Sequence, residues 1–131
     1  MSSEGLHAPR EVLSQEARLL HNAIASLVEE LEAVDWYRQR ADDTEDDALR
    51  EILLHNMREE MEHASMLLEW IRRHDADFAG HLKTYLFTEA RILEVEEAAT
   101  AEGAAQKEQR KAGAPGEHGF TIGRLRGPDR E

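Results

Sequence analysis

Two long runs of helical periodicity, joined only by the acidic stretch ADDTEDDALRE at positions 41–51, constrain this chain more than any other feature. In the first run Leu13, Leu19, Leu20, Ala23, Leu27, Val34 and Tyr37 recur at helical spacing, and in the second Leu49, Ile52, Leu53, Met57, Met66, Leu67, Trp70 and Ile71 do so. Pro9 suits the first turn of a helix. The first run therefore reads as a helix over about residues 9–40, about 45 Å long at ~1.5 Å per residue. The second reads as a helix over about 46–73, with Asp43 or Thr44 as its cap and the acidic cluster complementing its positive end. So short a connection makes the two helices antiparallel neighbours. DFAGHLKTYLF predicts a third, shorter helix at about 76–88, with Gly80 as its weak point.

Two amphipathic helices do not close a core. One apolar face stays uncovered, and a third helix of this length is too short to cover 45 Å of it. The alternative, a monomeric three-helix bundle, is therefore the poorer fit, and a four-helix bundle made from two chains is expected. Residues 1–8 read as a disordered leader and residues 9–96 as the helical domain. Residues 97–119 carry almost no large apolar side chain and read as a flexible linker. Residues 120–131 follow, where Phe120, Ile122 and Leu125 bring large apolar side chains back. Charge changes along the same line: residues 1–104 sum to −14 and residues 105–131 to +2.

Composition removes several function classes. There is no cysteine, hence no disulfide framework, Cys-based zinc site or thiol redox chemistry. No apolar run approaches the ~20 residues of a membrane span, and MSSEGLHAPR has no signal-peptide character. The net charge of −12 disfavours nucleic acid and suits cations.

Chemistry enters with NMREEMEHASMLLEW at 56–70. Residues three apart share a helix face, so Glu60 and His63 lie together, and Asn56, Leu67 and Trp70 fall on the same side. On the first helix the face of Glu30 holds Leu19, Ala23, Ser26, Leu27, Val34 and Tyr37. An unpaired carboxylate in such a stripe costs several kcal/mol or takes up a proton. A carboxylate beside a neutral imidazole suits a divalent metal instead. Ferritin-like two-metal bundles take one Glu from each of two helices and one Glu-x-x-His from each of the other two. Glu30 with Glu60 and His63 is half of that inventory, and a symmetric dimer doubles it. Glu4 and His7 match the same pattern in a coil before Pro9, where it carries nothing. His55 and His74 read as solvated helix residues, His81 as a residue of the third helix with no evident partner, and Glu59 and Glu62 as facing solvent or neighbouring chains. Glu29, Glu32, Asp35 and Trp36 form a second acidic face, read either as solvated surface or as a collector of Fe²⁺ or Ca²⁺.

VEELEAVDWY (28–37), HNMREEMEHASMLLEWIRRHDADF (55–78) and HLKTYLFTE (81–89) closely resemble the encapsulated ferritins, iron-oxidising proteins carried inside encapsulin nanocompartments. The resemblance spans about residues 10–95. It implies a di-iron ferroxidase centre of Glu30, Glu60 and His63 at a two-fold interface between chains. It further implies a site at Glu29 and Glu32 where metal enters, with Trp36 beside it, and Tyr37 near the ligand histidine. A ring-shaped decamer of five dimers is expected from it, as is a location in the cytoplasm inside the nanocompartment. FTIGRLRG at 120–127 resembles the encapsulin cargo-loading peptide. The shell partner is thereby expected to be bound through Phe120, Thr121, Ile122, Gly123, Leu125, Arg126 and Gly127, with Phe120 standing where leucine is more usual. Non-catalytic metal-binding cargo and a rubrerythrin-like di-metal peroxidase are the competing readings.

Overall fold

The computed structural model of the chain describes residues 5–113, and among these every regular element is helical. A single 3₁₀ turn, Arg10–Val12, precedes helices α1 (Gln15–Asp43), α2 (Asp47–His74), α3 (Ala76–Tyr85) and α4 (Ile92–Ala112). The first helix thus starts later than its periodicity suggests. Pro9 opens the 3₁₀ turn, the chain turns extended at Leu13, and Ser14 caps α1 by accepting from the Ala17 amide at 3.1 Å. A side-chain acceptor at the cap satisfies one of the four amides a helix start leaves unpaired.

The connection Thr44–Asp46 is three residues long. Neither Asp43 nor Thr44 caps α2, as the sequence had suggested: Asp43 ends α1 and Thr44 is its C-cap. The cap is Asp46, which accepts from the Leu49 amide at 2.8 Å, while the Thr44 hydroxyl accepts from the Asp46 amide. Arg50 reaches back across the turn. Its Nε donates to the Ala41 carbonyl at 3.1 Å, Nη1 to Asp47 at 2.8 Å, and Nη2 to the Thr44 carbonyl. Asp75 ends α2 and caps α3, accepting from the Phe78 amide at 2.7 Å. α3 stops at Tyr85 rather than near residue 88, and Phe87 follows at φ 60°, a conformation few aromatic residues adopt.

The described residues up to Leu86 form one unit, in which α1 packs along α2 and α3 packs on α2. Its core is narrow. The buried apolar residues are Ala23, Ala41, Met57, Ala64 and Ile71, the last fully enclosed and worth about 1.5–3 kcal/mol of burial. Small side chains where the helices meet let them approach closely. Leu19, Ile24, Leu31, Leu49, Ile52, Met61 and Met66 are all at least 40% exposed, so the hairpin keeps apolar surface it does not itself cover.

The second unit begins at Phe87, and its described part is dominated by α4. Positions 97–112 are therefore helical where the absence of large apolar residues had predicted a flexible linker. Alanine supplies the helix: it carries the best intrinsic propensity and needs no packing partner to express it. The charge change near residue 104 falls inside α4 and marks no structural boundary.

Candidate metal centre

Glu30 sits midway along α1, and Glu60 and His63 sit midway along α2. Antiparallel packing brings the three side chains level. His63 Nδ1 lies 3.3 Å from Glu60 Oε2 and 3.7 Å from Glu30 Oε2. One potential ligand atom from each residue lies within 4.8 Å of the others. Among the described residues this is the group of three or more ligand-type side chains close enough to hold an ion. The side chains are half-buried, Glu30 at 26% and Glu60 at 22% exposure, with His63 more open at 42%.

The electrostatics of the cluster follow from its crowding. The Glu30 carboxyl is pushed above the ordinary carboxylate range, first by its hydrogen bond to Glu60 and then by burial. Glu60 is held below that range, first by the same hydrogen bond and then by His63. Crowding of the two carboxyls thus raises one and lowers the other. A cation between the carboxyls would relieve the repulsion from Glu60 that contributes to raising Glu30. With two carboxylate oxygens and one imidazole nitrogen, the donor set suits hard or borderline divalent ions, iron and manganese among them. Three ligands leave coordination positions open, and His63 is the most exposed of the three.

The remaining sequence-predicted residues divide. Glu29, Glu32, Asp35 and Trp36 are exposed on a different face of α1, Trp36 at 51%, and none joins the cluster. Tyr37 lies two turns along α1 from Glu30, with the Arg40 guanidinium 5.8 Å from its ring centre. Within one chain it is not part of the cluster. His55 pairs weakly with Glu59 at 3.7 Å, and His74 stacks on Trp70 with ring centres 3.9 Å apart, so both have partners the sequence did not reveal. Phe120 to Gly127, the expected shell-binding segment, lies outside the described residues.

A family model described as EncFtn-like matches residues 5–89. The chain is 52% identical over 127 residues to the encapsulated ferritin-like protein of Rhodospirillum rubrum, an overlap covering 96% of this chain and 91% of that protein. It is 33% identical over 123 residues to the encapsulin nanocompartment cargo protein EncC of Myxococcus xanthus, covering 90% of this chain and 91% of that one. Among solved structures, protein ne0167 of Nitrosomonas europaea superposes with a TM-score of 0.65 at 56% identity, over 67% of this chain and 97% of that chain.

Proposed function

The chain belongs to the EncFtn-like family, and from that premise we propose that it is a ferroxidase, oxidising Fe²⁺ to Fe³⁺ with O₂ at a site built from two copies of Glu30, Glu60 and His63. The reading rests on one observation: a single α1 carboxylate converges on a Glu-x-x-His pair of α2, which is half of a two-metal carboxylate set. The other half comes from a second chain. The apolar side chains left exposed on the hairpin support such a partner.

Iron is the substrate. Glu30 and Glu60 supply hard oxygen donors that favour Fe³⁺ over Fe²⁺, and His63 binds terminally through one nitrogen. Two Fe²⁺ held side by side give up one electron each to the same O₂. Glu29 and Glu32, beside Trp36, form the surface where cations gather before entering, with Ca²⁺ a competitor there. Tyr37 acts next to the ligand histidine of the dimer. Five such dimers close into a ring-shaped decamer.

The names of the Rhodospirillum and Myxococcus relatives support a place inside an encapsulin shell, reached through Phe120, Thr121, Ile122, Gly123, Leu125, Arg126 and Gly127. Ile122 and Leu125 fill apolar pockets on the shell's inner surface while the glycines allow an extended backbone. Undiminished packaging of a chain ended after Gly119, co-expressed with the shell, would refute that part.

Oxygen consumption during aerobic Fe²⁺ addition tests the central claim. Wild type should consume O₂ well above the autoxidation rate, and Glu60→Ala and His63→Ala should fall to it. Metal binding with no oxygen uptake would leave a non-catalytic iron-binding cargo. Faster turnover with peroxide than with O₂ would instead make it a di-metal peroxidase.

A further inference from the structure

The cluster exists only if α1 and α2 keep one axial register, and one side chain spans the two helices at the turn. Arg50 belongs to the first turn of α2, yet it bonds the Ala41 carbonyl in the last turn of α1 and the Thr44 carbonyl of the connection. Asp47 holds the guanidinium from the α2 side at 2.8 Å. These carbonyls are among those a helix end leaves without partners, and Ala41 is 1% exposed, so water does not readily replace the bond. The cation also lies at the negative end of the α1 dipole.

Level arithmetic ties this contact to the metal ligands. Glu30 lies eleven residues before Ala41, about 16 Å along α1. Glu60 and His63 lie ten and thirteen residues beyond Arg50, about 15 and 20 Å along α2. Measured from the clamp, Glu30 falls between its two partners, and that is where its distance to His63 has it. A slip of one residue moves a helix by ~1.5 Å and turns it by ~100°, enough to carry Glu30 out of the cluster. Among the described residues no ion pair away from the cluster joins α1 to α2, since Arg38–Asp42, Arg50–Asp47, His55–Glu59, Arg72–Glu69 and Arg73–Glu69 each lie within one helix, so the carbonyl bonds of Arg50 are its tie across the pair.

We infer that Arg50 is a positioning residue for the metal centre: its fork fixes the register of α1 against α2 and thereby sets the spacing of Glu30 from Glu60 and His63. Lysine keeps the charge but presents a single nitrogen, which cannot hold three separate oxygens in the guanidinium plane. The inference rests on the metal-site reading above.

The test uses Tb³⁺ as a luminescent probe on the full chain, with the signal of Glu60→Ala subtracted to isolate the site. Affinity is measured together with the number of bound waters, taken from luminescence decay in H₂O and D₂O. Arg50→Lys should weaken site binding by about tenfold, the low end of what losing a ligand's own hydrogen-bond partner costs, and should raise the water count. Ile71→Val, which thins the core at the far end of the hairpin, serves as a stability control and should leave both readouts unchanged. Arg50→Lys indistinguishable from wild type, or Ile71→Val reproducing its effect at equal loss of Tm, overturns the inference. Wild type indistinguishable from Glu60→Ala would instead remove the metal site itself, and the inference with it.

Discussion

Glu29 and Glu30 are adjacent in sequence and point to chemically different places. Glu29 shares an exposed face of α1 with Glu32, Asp35 and Trp36, where each carboxylate keeps its water. Glu30 turns toward α2, is half-buried, and meets a second carboxylate and an imidazole within 4.8 Å. The exposed face has more acidic groups, but the inward face has the larger unresolved electrostatic problem. Solvated carboxylates repel weakly and gain little from any one cation. Two crowded, half-buried carboxylates gain much more from a divalent ion. Crowding after partial burial, rather than the number of charges, separates a binding site from an acidic surface on this helix.

The largest effect should come from removing the inward carboxylates. Glu30→Ala or Glu60→Ala should lower iron oxidation at least tenfold, about 1.4 kcal/mol or more of lost stabilisation, whereas Glu32→Ala should not approach that loss. Oxygen-electrode rates at saturating Fe²⁺ check it, and equal losses on the two faces would erase the distinction. Assembly comes next. On the proposed two-chain site, Fe²⁺ or an inert mimic at 100 times Kd should favour the dimer by about 2.7 kcal/mol for each ion bound. Sedimentation with and without metal reads this shift, which Glu60→Ala should abolish and Glu32→Ala should retain.

The carboxyl proton of Glu30 gives the inward face a pH signature. The Glu30 pKa is raised, so the folded chain without metal holds this proton more tightly than the unfolded chain does. That contribution to stability is present at low pH and is lost as pH rises through the raised pKa of Glu30. Metal binding runs the other way, since the ion must displace the proton. Affinity should rise by about tenfold per pH unit until Glu30 is ionised and then level off. Titration calorimetry in buffers of different ionisation enthalpy counts the proton released. A count of zero would mean that the pair is already ionised.

Much of this was legible in the sequence because polar intrusions in an apolar stripe are conspicuous. Glu30, Glu60 and His63 break the 3.6-residue pattern where burial makes charge expensive, and the structure gathers all three. The helix ends were harder to read. DDTEDD offers several residues able to cap, and which one does so depends on where Arg50 and the Thr44 hydroxyl tie the turn. Periodicity carries no trace of that arginine's role, since its partners are backbone carbonyls. α4 escaped for the opposite reason: a search for apolar faces overlooks a helix whose stability is local and alanine-based.

The smallest effect belongs to the exposed face, and its form is what matters. If Glu29 and Glu32 attract cations without holding them, the change in Glu32→Ala should appear in rate rather than in affinity. At Fe²⁺ well below saturation its initial rate should fall by about twofold, because one charge of a collecting patch is lost. At saturating Fe²⁺ it should match wild type. The deficit should shrink as salt rises toward 0.15 M, where the Debye length is about 8 Å and the field of an exposed carboxylate reaches little further than its neighbours. Stopped-flow iron oxidation at two salt concentrations separates the cases. A deficit that survives both saturation and salt would mean that Glu32 is a ligand in its own right, and the two faces of α1 would then differ in degree rather than in kind.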